Sequence, residues 1–286
     1  MTITHPRPAV PVRSDREEVL VGAGWLREHL GDPGVRVLDI DVSAKAYDAG
    51  HIDGAVLWNV YTDLKDGDYA TVDAAGLERL LRRSGFRPES TVICSGYAPA
   101  LGFWLLRRFG HRDVRILDCS RDAWVAAGGP VTRTAASPVS TEYVLGSEDP
   151  SIRASRERVE AELDDPRLTI LDVRSEAEYL GERFWPSGGS EPGGRAGHVP
   201  TARYVSIDGV LDAGGRFRDN ATVRGVFADL DLAGDAPIIT YCTVGGRAST
   251  AWFALTHLLG RPNVAVYDGS WAEWGRTLTA PVATGR

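Results

Sequence analysis

The sequence is poor in cysteine, with three in 286 residues: Cys94, Cys119 and Cys242. Cysteines so few and so scattered exclude a disulfide framework and a zinc site, and leave any important one to be read as a thiol. Long apolar runs are missing too. No stretch reaches the roughly eighteen residues that a membrane-crossing helix needs. The start, Met1 to Val10, lacks the apolar segment of a secretion signal. Basic residues do not predominate: 32 Lys and Arg against 39 Asp and Glu leave a formal charge of −7, which disfavours a nucleic-acid surface with its basic stripe. What is present is an ordinary globular balance, 43% hydrophobic and 25% charged, which excludes a disordered or fibrous chain. The expectation is a soluble cytoplasmic protein of two domains, with no membrane or nucleic-acid partner.

Two stretches of the chain can be laid over each other. Val35-Arg-Val-Leu-Asp39 is followed by Gly50-His51-Ile-Asp-Gly-Ala55, and Leu168-Thr-Ile-Leu-Asp172 by Gly197-His198-Val-Pro-Thr-Ala202. Further on, Thr91-Val-Ile-Cys94 leads to Asp118 and Trp124, as Ile238-Ile-Thr-Tyr-Cys242 leads to Asp268 and Trp274. Cysteine and aspartate are 24 steps apart in the first copy and 26 in the second. Four landmarks in one order indicate a duplicated domain. Composition then divides the chain into a flexible tail (1–15), a first domain (16–132), a linker rich in Ser, Thr, Pro and Gly (133–150) and a second domain (151–286).

Within each copy, short Val/Ile/Leu runs alternate with helical patterns. Leu168–Val173, Pro237–Tyr241 and Val264–Tyr267 read as buried strands. Arg247–Leu259 reads as a helix with Ala248, Trp252, Leu255 and Leu259 on one face and Gly260 as its stop. The expected fold is α/β, a mostly parallel sheet covered on both faces in each half.

The most informative segment is Tyr241-Cys242-Thr243-Val244-Gly245-Gly246-Arg247. An apolar strand ends at the cysteine, a short loop with two glycines follows, and a helix begins. Such a loop turns successive N–H groups inward and adds the positive end of the helix, making an anion cradle. A cysteine on its floor is expected to react as thiolate, and Arg247 adds a fixed positive charge.

This loop, with Tyr267-Asp-Gly-Ser-Trp271-Ala-Glu-Trp274 after it and Leu171-Asp-Val-Arg174…Gly197-His-Val-Pro200 before it, resembles the rhodanese family of sulfurtransferases. Two copies over nearly the whole chain resemble its tandem form, which includes thiosulfate and 3-mercaptopyruvate sulfurtransferases. The resemblance implies two tandem rhodanese-like domains, an inactive first and a catalytic second. It implies that Cys242 takes a sulfur atom from a small anionic donor as a persulfide, held by the loop from Thr243 to Gly246 with Arg247. A thiol, cyanide or a sulfur-accepting protein then removes it, with no metal or other cofactor.

The same resemblance suggests substrate-binding roles for Arg183 and Arg195, which lie in an insertion that stretches the aspartate-to-histidine spacing to 26 residues, against 12 in the first copy. Arginine suits bidentate binding of a carboxylate or sulfonate-like group, but solvated loop charges are the plainer reading. Asp63 matches a first-domain acidic residue that faces the cleft in the family, though a surface aspartate is nearly as good a description. His51 and His198 recur in both copies and are expected to make structural hydrogen bonds. Asp172, Arg174 and Asp268 are expected to support the loop. Cys119 is expected to be a buried bystander. Cys94 aligns with Cys242, but its loop has no arginine, is two residues short before the aspartate and contains Pro99, so it reads as degenerate.

A cysteine phosphatase is the main rival, since such enzymes share this fold. Their loops place five residues between Cys and Arg, whereas Cys242 and Arg247 enclose four, a size suited to one sulfur atom. Among sulfur donors, Val244 stands where mercaptopyruvate enzymes carry a proton-relaying serine. Thiosulfate is therefore the favoured donor, with 3-mercaptopyruvate or a persulfide relay as alternatives.

Overall fold

A wholly parallel five-stranded sheet organises each half of the chain, and the second repeats the topology of the first. The structure, a computed structural model, describes residues 16–285, so the expected tail at 1–15 lies outside the described residues. The first sheet comprises β1 (Leu20–Val21), β2 (Val35–Asp41), β3 (Val56–Asn59), β4 (Thr91–Gly96) and β5 (Val114–Leu117), in the order β1-β5-β4-β2-β3. The second comprises β6 (Arg153–Ala154), β7 (Thr169–Asp172), β8 (Arg203–Tyr204), β9 (Ile238–Tyr241) and β10 (Val264–Tyr267), in the order β6-β10-β9-β7-β8. The fourth strand of each copy is central, and Cys94 lies on one while Cys242 directly follows the other. Strands buried on both faces need continuous apolar runs, as Ile238–Tyr241 and Val264–Tyr267 have.

Smaller features repeat as well. Tyr47 stacks on His51, and Tyr179 on His198. In both pairs the histidine Nδ1 bonds the tyrosine carbonyl at 2.8 Å. His51–Ile52 pairs antiparallel with Val131–Thr132, and His198 bridges Ala283 in the same sense, so each copy is closed by its own C-terminal end. Trp124 and Trp274 each donate their indole N–H to a proline carbonyl, of Pro130 and Pro281. Trp252, Trp271 and Trp274 are buried in the core, as aromatics on a helix face usually are.

Four helices bear on the site: α1 (Pro99–Arg108), α2 (Glu176–Tyr179), α3 (Gly246–Phe253) and α4 (Ser270–Trp274). The helix read from the sequence as continuous to Leu259 is α-helical only to Phe253. From Ala254 to Leu258 it widens to π geometry, with Leu259 N–H reaching back five residues to the Ala254 carbonyl. Gly260 follows with φ +70°, the left-handed value that stops a helix.

The halves share one apolar core. Phe103 of α1 meets Phe253 of α3 edge-on at 4.9 Å and Trp252 at 6.2 Å, and one buried cluster runs from Leu38 and Trp104 to Leu171 and Phe253. Burying one such aromatic side chain stabilises by roughly 1.5–3 kcal/mol. The connecting stretch has no helix or strand between 135 and 149, but it is docked rather than free. Tyr143 is buried, Thr141 N–H bonds the Arg82 carbonyl, and Asp149 N–H bonds the Arg108 carbonyl. Among the described residues no helix is long and apolar enough to cross a membrane.

Candidate active site

Strand β9 delivers Cys242 to the end of the second sheet, and the chain turns at once into α3. Gly245 makes the turn with φ +99°, a left-handed conformation in which a side chain would be strained. Its N–H points back at Cys242 Sγ at 3.1 Å. The first turn of a helix has N–H groups without intrahelical acceptors, and the sulfur lies at the mouth of α3. The loop is fastened behind by α4: Trp271 N–H bonds the Cys242 carbonyl, Ala272 N–H the Thr243 carbonyl, and Cys242 N–H donates to Ser270 Oγ. Ser270 holds φ +55° to do this. Cys242 is 1% exposed, so its sulfur lies shielded from bulk water.

Arg247 is bound by a partner that the sequence motifs did not bring forward. Glu178, fully buried on α2, accepts Arg247 Nη1 at 3.0 Å and Nη2 at 2.9 Å, and Thr243 Oγ1 at 2.6 Å. Arg247 Nη2 also reaches Thr243 Oγ1 at 2.7 Å. Burial would raise the Glu178 carboxyl. The bonds and charge of Arg247, with Thr243 and Ser175, override that and hold it at about 2. The same carboxylate closes a capping box with Ser175. Ser175-x-x-Glu178 is legible as a helix start, but nothing in the sequence says that its carboxylate also grips the cysteine loop. Thr243 and Arg247 are thus brought together with Cys242, with Arg247 still partly open to solvent. Val244 packs half-buried on the core beside Gly245 and Gly246.

Behind the loop, Asp172 and Arg174 form a fully buried pair at 2.6 Å, and Tyr241, next to Cys242, donates its hydroxyl to Asp172 at 2.5 Å. Arg174 also holds the Gly197 carbonyl at 2.6 Å, tying the insertion to the sheet.

The other expected donor-binding residues are placed differently. Arg195 does not offer its guanidinium to a ligand: it holds the carbonyls of Trp274, Gly275, Thr277 and Ala280, clamping the C-terminal segment. An arginine among glycines lies close enough to main chain to bind carbonyls instead. Arg183 is exposed on the insertion and bonds the Pro186 carbonyl at 3.2 Å. Asp63 accepts the Asn59 N–H at 2.8 Å and pairs with Arg83, both in its own domain.

Asp268, expected to support the loop, bonds the first domain and β6 with its carboxylate. Its carboxylate accepts Thr71 N–H at 2.8 Å and Thr71 Oγ1 at 2.5 Å from the first domain, and Arg153 Nε at 2.9 Å from β6. Its carbonyl accepts Lys65 Nζ at 2.6 Å. The first-copy loop also abuts the Cys242 loop. A Cβ on Gly246 would come within 3.3 Å of Ala98 Cβ, and one on Gly245 within 3.6 Å of Leu101. Cys94 is fully buried against Gly102, and burial pushes its thiol well above the ordinary range. Cys119 is half-buried rather than buried, and its thiol is also raised by burial.

A buried cysteine directly after a central parallel strand, facing a loop N–H at the start of a helix and followed by a threonine held by an Arg–Glu pair, is an arrangement suited to thiol chemistry. The rhodanese-like domain pattern matches residues 22–127 and again 155–277, and the chain belongs to the rhodanese family. A Mycobacterium leprae protein provisionally named thiosulfate sulfurtransferase SseA is 38% identical, the match covering 99% of this chain and 96% of that one. A Thermus thermophilus protein named sulfur carrier protein TtuD is 36% identical, covering 94% and 97%. Among solved structures, the anaerobic ergothioneine biosynthesis enzyme from Chlorobium limicola, in complex with trimethyl histidine, matches with a TM-score of 0.80 over 95% of this chain and 71% of that one. At 22% identity that likeness concerns the fold.

Proposed function

We propose that this protein is a sulfurtransferase that moves the outer sulfur of thiosulfate, by way of a persulfide on Cys242, to cyanide in assays and to a thiol in the cell. The observation that carries the reading is the Gly245 N–H aimed at Cys242 Sγ, at the start of α3. The Cys242 thiolate forms a bond to the outer sulfur of thiosulfate, whose S–S bond breaks, and the bonding pair leaves with sulfite. The persulfide anion stays under the donors of the loop, which act as a preorganised anion hole. Attack of the acceptor on the terminal sulfur returns the pair to Cys242 as thiolate, so the cycle is covalent and ping-pong, and every electron is accounted for without a cofactor.

Arg247 gives the loop positive charge, while Glu178 fixes its direction and holds Thr243 in register. The Gly245 N–H meets the sulfur, Thr243, Val244 and Gly246 are the other residues of the loop proposed to hold the donor, and Arg183 is the remaining arginine of the insertion able to meet an anionic donor. Val244 supports thiosulfate over 3-mercaptopyruvate. Sulfite leaves as a stable anion, whereas a pyruvate enolate depends on a proton that valine does not supply. Delivery of the persulfide to a partner protein is favoured by one observation, the 65% exposure of Tyr97 at the first-copy loop that abuts the catalytic one.

The test is intact mass after incubation with thiosulfate. The expected result is a gain of one sulfur atom on Cys242, reversed by cyanide and absent in Cys242→Ser. Serine has no thiolate with which to form a persulfide. Sulfur uptake by folded Cys242→Ser would sink the mechanism, and a higher kcat/KM for 3-mercaptopyruvate than for thiosulfate would overturn the donor.

A further inference from the structure

Lys65 belongs to the first domain, yet its main partners belong to the second. It follows β3 and is fixed by a bridge to Thr71, the residue whose hydroxyl and N–H both bond Asp268. Its stem is buried and its Nζ donates to the Asp268 carbonyl at 2.6 Å. A Cβ built on Gly245 would lie 3.3 Å from that carbonyl and 3.5 Å from Lys65 Nζ. The ammonium therefore stands against Gly245, whose N–H meets Cys242 Sγ. Isolated buried ammonium groups are expensive and persist only where negative charge compensates them. The Asp268 carboxylate is already engaged by Arg153 and Thr71, and Lys65 takes the carbonyl instead, which sets its charge beside the loop.

We propose that Lys65 is a positioning and electrostatic residue of the sulfur-transfer site, a cation lent by the first domain that favours the anionic forms of Cys242. This rests on the reading of Cys242 as the sulfur carrier. The charged groups facing Lys65 are Asp268 and Glu273 from the second domain, Asp66 from its own segment, and Cys242. Cys242 in turn is faced by Arg247 from α3, Tyr61 from the first domain and Lys65. Burial pulls the ammonium below the usual lysine range, and the neighbouring anions pull it back, so charge on the lysine and charge on the sulfur support each other. Reactivity of the second domain is then conditional on the first being docked, although the first carries no working cysteine.

The test is the pH profile of iodoacetamide alkylation at Cys242, located by peptide mass, in the full chain and in Lys65→Gln, Lys65→Met, Lys65→Arg and Arg153→Met. Loss of the charge in Lys65→Gln or Lys65→Met moves the half-maximal pH up by about one unit and slows alkylation at neutral pH about tenfold. Lys65→Arg restores the profile to within about twofold. Arg153→Met removes the other cation on Asp268 and lowers stability without moving the midpoint. Glutamine keeps a donor for the Asp268 carbonyl, so that variant stays folded if methionine does not. An unchanged midpoint in a folded uncharged variant overturns the proposal, as does an equal shift in Arg153→Met. Sulfur uptake from thiosulfate by the unaltered protein is measured separately. Its absence would remove the sulfurtransferase reading while leaving the effect of Lys65 on the thiol to be judged by alkylation.

Discussion

Glu178→Gln keeps the size of the side chain and removes the charge on which the cysteine loop is hung. In the folded protein the carboxyl is held at about 2, against an ordinary value of 4.5, because the bonds and charge of Arg247 with Thr243 and Ser175 outweigh burial. A depression of that size corresponds to about 3 kcal/mol at 1.36 kcal/mol per unit. Breaking a buried ion pair by removing one partner costs roughly 3–5 kcal/mol, so an independent route gives the same scale. The folded value lies below the unfolded one, so this stability is fully present above pH 4.5 and is lost as pH falls through 2. Urea unfolding at pH 7 should therefore show Glu178→Gln less stable by about 3 kcal/mol, and the gap should narrow steadily between pH 4.5 and 2. Turnover should suffer too, since Arg247 and Thr243 lose their common anchor: kcat/KM for sulfur transfer falls about a hundredfold, worth about 2.7 kcal/mol of barrier. A gap under about 1 kcal/mol at pH 7, or one that does not change with acid, would refute this account of the loop.

Two further substitutions separate structural from chemical roles. Cys94→Ser leaves turnover essentially unchanged, because that thiol is buried on a strand whose following loop has no arginine; a loss beyond about tenfold in steady-state assays would mean that the first domain takes part in the chemistry. Arg195→Ala lowers stability by about 2 kcal/mol, the scale of lost charged hydrogen bonds to carbonyls, and leaves KM for thiosulfate within about twofold. A tenfold rise in KM at unchanged thermal stability would return this residue to donor binding.

The repeat was readable because its landmarks serve the same mechanical ends in both copies. Asp39 and Asp172 lie at or near the ends of equivalent strands, and His51 and His198 bond the carbonyl of the tyrosine on which each stacks. The cysteine loop was readable because strand, glycines and helix start are contiguous in sequence. What escaped was whatever depends on residues distant in sequence. Arg195 follows glycines like a ligand-binding arginine, and only the folded C-terminal segment shows four carbonyls waiting for it. Glu178 carries a local signal for a helix start, and its second duty toward Arg247 lies 69 residues away. Lys65 and Thr71 sit in a turn-rich stretch with no motif, and their partner Asp268 is in the other domain.

These long-range contacts tie the first domain to the cysteine loop of the second. One side of the Cys242 loop is closed by Ala98 and Leu101 of the first-copy loop, lying against Gly246 and Gly245. Pro99, which carries no N–H, opens α1, whose Phe103 locks against Phe253 of α3. The Lys65 and Thr71 bonds to Asp268 add polar anchorage at the point where β10 turns into α4, the helix that holds the Cys242 and Thr243 carbonyls. Where the second copy has Gly246 and Arg247 after its cysteine, the first has Ala98 and Pro99. These small and apolar residues form a wall beside the Cys242 loop, and a wall that excludes water strengthens every charge interaction at the sulfur it covers.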